Sequence, residues 1–130
     1  MRSYEAAVAA SLGGDCSAYS FWKGRVALEA ILRALGLQGG DEVIVPAYTC
    51  MVVPNAIRLV GAIPVYADIG AGNYNIDPLD VEKKVTPRTR VLIVQHTYGI
   101  PANLEALASF AQKHGLHLVE DCAHVLIGSF

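Results

Sequence analysis

Four large apolar residues in a row, Val91-Leu92-Ile93-Val94, stand between Arg90 and Gln95. The run is short and shows no polar alternation. It therefore reads as a strand covered on both faces, the kind that lies inside a parallel sheet. Parallel neighbours cannot be joined by tight hairpins and need crossover segments, usually helices. The flanking sequence supplies them. Leu28, Ile31, Leu32 and Leu35 recur at helical spacing, and Gly36 stands where that helix would end. Asp41–Pro46 is a β-branched run closed by proline. The spacing predicts a second helix from about Val53 to Val60, with Pro54 tolerable only in its first turn and Gly61 at its end. Ile63–Ile69 is the next strand, and Gly70–Asn75 is a turn-rich link. Asp77-Pro78 supplies an N-cap followed by proline at the first helical position. Leu104, Leu107, Ala108 and Ala111 mark one more helix, ending at Gly115, and Leu116–Glu120 is the last strand.

Strand and helix thus alternate with short connections, which implies right-handed βαβ units. The expected class is α/β: a mostly parallel sheet with flanking helices over residues 21–130, preceded by an N-terminal segment over 1–20. Ligands of such sheets bind outside the carboxyl ends of the strands. Chemistry is therefore expected at Pro46–Cys50, Asp68, Gln95–Gly99 and Glu120–His124. The composition, 53% hydrophobic and 17% charged in 130 residues, suits a packed core and not disorder. A net charge of -2 provides no electrostatic footprint for nucleic acid or an anionic membrane. No apolar run approaches the ~18 residues that cross a bilayer. The Ala-rich start is interrupted by Glu5 and falls short of the ~7–15 residue core of a signal peptide. A cytoplasmic protein with reduced thiols is expected, since Cys16, Cys50 and Cys122 lack CxxC spacing.

Two pieces carry possible chemistry. In Glu120-Asp121-Cys122-Ala123-His124, Asp121 stands just past an apolar strand. There a carboxylate serves either as a partly desolvated ligand-facing acid or as a turn or N-cap acid. A lone His124 is more often structural. A metal set of Asp121, Cys122 and His124, with His96, lacks the i, i+4 and CxxC spacings of zinc ligands, so no metal is expected. Cys122 follows two acids, which raise a thiol pKa and make it a poor nucleophile. The other piece is Lys23-Gly24-Arg25. A glycine opening a helix presents unpaired N–H groups and a positive dipole end, with Lys23 and Arg25 adding charge. The nucleotide fingerprints GxxxxGK[ST] and GxGxxG are absent, and Gly70-Ala71-Gly72 reads as a turn, which counts against a plain nucleotide-binding domain.

The stretches "GRVALEAILRALGLQGGDEVIVPAYTC", "GAIPVYADI", "NYNIDP", "TPRTRVLIVQHTYGIPAN" and "HGLHLVEDCAH" together resemble the DegT/StrS family of sugar aminotransferases, from about Trp22 onward. The resemblance implies part of the large domain of a fold type I enzyme that uses pyridoxal 5'-phosphate (PLP). It places Asp121 at the pyridine nitrogen and His124 near the phenolic oxygen. Gly24 and Arg25 match the family's "SGT", whose amides hold the cofactor phosphate, with Arg25 replacing the hydroxyl residue. Cys50 stands where the family has an aromatic residue stacked on the ring. His96 and Gly99 match "VH-x-x-G", structural first and site-lining second. The Schiff-base lysine of the family lies well downstream of the "EDCAH" match, in "S-F-x-x-x-K". Lys23, Lys83, Lys84 and Lys113 all precede it, and none is expected to substitute. Lys83 and Lys84 read as a solvated helix face, and Lys113 as lying opposite the ligand edge.

The resemblance further implies an amino-acid donor such as glutamate, a nucleotide-linked keto sugar as acceptor, a role in polysaccharide or sugar-derivative biosynthesis, and a homodimer. This chain alone is expected to be inactive. The alternative is a non-catalytic regulator or assembly partner with the same fold. A four-stranded parallel sheet with open edges is expected to self-associate or fold poorly.

Overall fold

The computed structural model of the chain describes residues 2–13 and 16–125. In chain order the elements are α1 (Arg2–Leu12), α2 (Gly24–Ala34), β1 (Glu42–Pro46), α3 (Val52–Leu59), β2 (Ile63–Ala67), α4 (Pro78–Lys84), β3 (Thr89–Gln95), α5 (Leu104–His114) and β4 (His117–Asp121). The strands form one parallel sheet in the order β2-β1-β3-β4. All five residues of β1 are buried, and so are Val91 to Val94 of β3. The unalternating apolar runs therefore lie in the two central strands, as their pattern requires.

The period of two along each strand divides the core. Val43, Val45, Val91, Ile93 and Val119 pack with Leu32 of α2 and with Val53 and Ile57 of α3. Ile44, Leu92 and Val94 point the other way, onto Val81 of α4 and Leu107 and Ala111 of α5. Each such side chain contributes about 1.5–3 kcal/mol on leaving water, which is why both faces must be covered.

Local signals place the helices. Asp77 accepts the Leu79 N–H at 3.0 Å and Asn103 accepts the Ala106 N–H at 3.2 Å, capping α4 and α5. Pro54 sits in the first turn of α3, where its missing N–H costs no intrahelical bond. Gly115 ends α5 in the left-handed region, φ 65, which costs glycine nothing. The helix α1 has no counterpart in the periodicity reading. It is Ala-rich and weakly amphipathic, so propensity and side-chain tethers define it: Glu5 Oε1 accepts both the N–H and the hydroxyl of Ser20 at 2.8 Å, and the Cys16 thiol donates to the Ala9 carbonyl at 3.4 Å.

From β1 the chain crosses to β2 on one side, and then to β3 and β4 on the other. The strand order therefore reverses between β1 and β3, the switch point at which open α/β sheets form a ligand crevice. The β1–β3 ladder runs from Glu42–Thr89 to Ile44–Leu92, whereas β3 and β4 stay paired through Gln95–Asp121. The carboxyl ends of β1 and β3 are thus able to part.

The opposite edge is clamped. Glu42, 4% exposed, accepts the Thr86 and Thr89 hydroxyls and a bidentate pair from Arg88. The Thr86 hydroxyl bond, with Arg88 and Thr89 behind it, outweighs desolvation and holds the Glu42 carboxyl below its ordinary range. Because the folded value is depressed, the stabilisation is present above the unfolded Glu value near ~4.3 and is lost as pH falls through the folded one. Glu42→Gln should cost about 1–3 kcal/mol at neutral pH in urea unfolding. The gap to the wild type should close in acid; a gap that does not depend on pH would refute the assignment. The sheet edges at β2 and β4 also leave Ile63 and Tyr66 at 46% and 42% exposure. Sedimentation velocity should show self-association that rises with concentration, and a sharp monomeric profile throughout would count against it.

Candidate functional site

Gln95 and Asp121 are direct partners on the last rung of the β3–β4 ladder. Alternation puts both on the face of Ile93 and Val119, under α2 and α3. Gln95 Nε2 donates to Asp121 Oδ2 at 2.8 Å, and the Ala123 N–H donates to Oδ1 at 3.1 Å. Each carboxylate oxygen thus accepts one N–H, the pattern suited to an ionised acid, and retains further acceptor capacity.

The turn after β3, Thr97–Gly99, is held by buried Asn75, which accepts the Thr97 N–H and donates to the Ile100 carbonyl, both at 2.9 Å. Within it Tyr98 adopts φ 56, ψ 23, a left-handed conformation that costs a bulky residue energy. Its N–H donates to His124 Nδ1 at 3.0 Å, and the two rings lie parallel within 3°, with centroids 5.7 Å apart. With Nδ1 accepting, the proton of a neutral His124 resides on Nε2, which makes that atom a donor. The hydroxyls of Tyr48 and Tyr98 meet at 2.6 Å, and Tyr74 packs edge-on against Tyr98. The bond to Tyr98 pushes the Tyr48 phenol up from its ordinary value.

His96 is buried and differently engaged. Its Nδ1 accepts the Ala102 N–H at 3.1 Å, so a neutral ring directs Nε2–H at Glu120 Oε1, 2.6 Å away. It braces β3, the following loop and β4. The ligand atoms of His96, Glu120 and Cys122 lie within 4.8 Å of one another, a grouping different from the set weighed on sequence. With the Nδ1 lone pair and the Nε2 proton both committed, the ring offers such an ion no lone pair. The Cys122 thiol is pushed up, first by burial and then by the Glu120 charge, as the two preceding acids suggest.

At the start of α2, the N–H groups of Val26 and Ala27 both reach the Lys23 carbonyl, while no described group caps those of Gly24 or Arg25. A Cβ added at Gly24 would meet nothing within 4 Å, so the space beside its Cα is open. A cavity of about 580 Å³ at the switch point is lined by Tyr48, Thr49, Cys50, Gln95, Tyr98, Asp121 and His124. An adjoining cavity of about 390 Å³ reaches Gly24 and Arg25, and Asp121 lines both. The five candidate residues Gly24, Arg25, Cys50, Asp121 and His124 are therefore brought around one joined space. Asp68 is not among them; its carboxylate turns back on the Ile69 N–H.

No lysine lines either cavity. Lys23 lies 4.6 Å over the Trp22 ring, Lys83 and Lys84 reach Asp80 at 3.5 and 4.0 Å, and Lys113 occupies the last turn of α5, before β4 begins. The partners missed on sequence are Gln95 as the mate of Asp121, the left-handed Tyr98, and Tyr74. Pairing Gln95 with the acid one residue past the last predicted strand would have found the first. Nothing local marks the second.

The geometry suits an anionic ligand bearing a ring N–H: uncapped amides at one end, an oriented carboxylate in the middle, and a histidine donor beyond. Two buried polar atoms with no partner among the described residues, Thr49 Oγ1 and Gln95 Oε1, belong to residues lining the same cavity.

Known proteins share this sequence pattern and fold. The chain is 41% identical over 125 residues to the UDP-N-acetyl-3-dehydro-alpha-D-glucosamine 3-aminotransferase of Acidithiobacillus ferrooxidans, covering 96% of this chain and 34% of that protein. It thus spans about a third of the length of the curated relatives it matches. It superposes on DesV of S. venezuelae with a TM-score of 0.90 at 44% identity, covering 94% of this chain and 33% of that one. With NtdA of Bacillus subtilis, solved with the cofactor PMP bound, the TM-score is 0.74 at 35% identity, covering 76% and 23%. The family model matches residues 1–129, so the relationship takes in α1 as well as the stretch from Trp22 onward. On that span, the chain belongs to the DegT/DnrJ/EryC1/StrS aminotransferase family.

Proposed function

We propose that these residues form the cofactor-binding, N-terminal part of the large domain of a PLP-dependent aminotransferase. In the complete protein it passes an amino group from an amino-acid donor, glutamate in the first instance, to a nucleotide-linked keto sugar. A cytoplasmic homodimer serving polysaccharide or sugar-derivative biosynthesis is part of the same proposal. The observation that carries it is the Asp121 carboxylate, held by two N–H donors where the two cavities meet at the switch point.

The residues present fit the cofactor. Asp121 would accept the ring N–H in a charge-assisted hydrogen bond. The uncapped amides of Gly24 and Arg25 would receive the phosphate at the helix start, with the Arg25 guanidinium supplying charge in place of the family's hydroxyl. His124 Nε2–H would donate to the ring oxygen, and Cys50 would contribute a small side chain where relatives stack an aromatic one. When bound, the cofactor supplies a protonated ring that withdraws electrons from the substrate carbon. Asp121 serves that chemistry by keeping the proton on the ring nitrogen. The A. ferrooxidans relative takes its name from a UDP-linked dehydro sugar, which supports the acceptor class.

Pyridoxamine phosphate needs no Schiff base, so it tests the pocket of this chain directly. Calorimetry should show saturable binding that Asp121→Asn weakens by about 10–100-fold, the range for loss of a charged hydrogen bond. Equal affinity in the variant would remove Asp121 from the role. A second expectation concerns turnover: with no lysine at either cavity, the 130-residue chain should transfer no amino group from glutamate to a UDP-linked keto sugar. Measurable product from the purified chain would refute it.

A further inference from the structure

We infer that Gln95 is a positioning residue for the cofactor acid: through its Nε2–H it fixes the rotamer of Asp121 and so the aim of its carboxylate. The inference rests on reading Asp121 as the partner of the ring nitrogen. Three observations lead to it. Gln95 is the direct rung partner of Asp121, so the backbone ladder itself sets their spacing. Nε2 donates to Oδ2 at 2.8 Å while the Ala123 N–H takes Oδ1, so the side chain of Asp121 is gripped at both oxygens.

The third observation is that Gln95 Oε1 is buried with no donor of its own. An unpaired buried carbonyl is unfavourable, and an apolar residue of the same shape would avoid it. Turning the amide over would not help, because Oε1 would then face Asp121 Oδ2, acceptor against acceptor. A Gln used as core filler would have no reason to carry this defect. A Gln used to donate to Asp121 carries it as the other half of the same amide.

The consequence for the bound ring is specific. The Gln95 bond holds the Asp121 carboxylate in one rotamer at the wall of the cavity. A carboxylate aimed in this way would hold the ring N–H in a charge-assisted hydrogen bond. Removing the donor should loosen that aim and weaken the hold on the ring proton.

The test uses pyridoxamine phosphate labelled with ¹⁵N in the ring, bound to the 130-residue chain. In the wild type the ring signal should be that of a protonated pyridinium. Gln95→Met keeps the length and removes both the donor and the orphaned carbonyl. It should fold about as well as the wild type, bind about tenfold more weakly, and move the ring signal toward the unprotonated position. A merely structural Gln95 would alter folding or affinity and leave the bound ring signal unchanged, and that result overturns the inference. Should Gln95→Met not fold, the side-chain amide signal of Gln95 in the unmodified chain decides the matter. It should respond to added pyridoxamine phosphate and shift in Asp121→Asn; an amide indifferent to both sinks the inference. If Asp121→Asn leaves the ring signal as in the wild type, the reading of Asp121 has failed. If only Gln95→Met does so, the failure is confined to Gln95.

Discussion

The parallel ladder between β3 and β4 decides where the acid of this site can stand. A strand's side chains alternate, so the apolar residues that bury one face of β4 also determine the face of every residue after them. Val119 packs under α2 and α3, and Asp121, two residues on, must emerge on that side. The side also holds the start of α2, with its uncapped amides at Gly24 and Arg25. A slip of one residue in this register would carry Asp121 to the opposite face, away from the helix start, and bring Glu120 in its place. The core packing of β4 and the placement of the acid are one constraint.

The same alternation separates two histidines that look alike in sequence. His96 follows Gln95 and turns to the other side, where burial and bonds to Ala102 and Glu120 consume its hydrogen-bonding capacity. His124 lies past the end of the sheet, where one backbone N–H fixes its tautomer and leaves Nε2–H toward solvent and cavity. The first braces the strand ends. The second is available to a ligand.

Sequence patterns carried most of the sheet because buried strands and capped helices leave local marks. The Val91–Val94 run, the Asp77-Pro78 helix start and the glycine after α5 each reflect one short-range rule. The segments that escaped lack such marks. The helix α1 depends on alanine content and on a tether fifteen residues away, from Glu5 to Ser20. The turn that holds Tyr98 is set by Asn75, bonded to Thr97 from 22 residues away, and by His124, bonded to Tyr98 from 26 residues away. The pairing of Gln95 with Asp121 becomes visible only once two strands are placed side by side, with Asp121 one residue past the predicted end of the last strand. Family motifs pointed to Asp121 and His124 but not to the residues that hold them. Motifs preserve the groups that meet a ligand, whereas supports vary with their neighbours.

The two ends of the sheet differ in how well they satisfy their own polar groups. At the amino edge, Glu42 is buried with Thr86, Arg88 and Thr89 all bonded to it, and the strand starts are locked together. At the carboxyl edge stand a hydroxyl and an amide carbonyl without partners among the described residues, two helix amides that no described group caps, and a tyrosine held in a left-handed conformation. Each of these is a local cost, and folding alone gives no reason to concentrate such costs at one rim. A ligand does, since the groups left unsatisfied or strained there are the ones that must stay available or exactingly placed when it arrives. The tight clamp at one end lets the other be held imperfectly, because the central strands are already registered before the crevice opens between them.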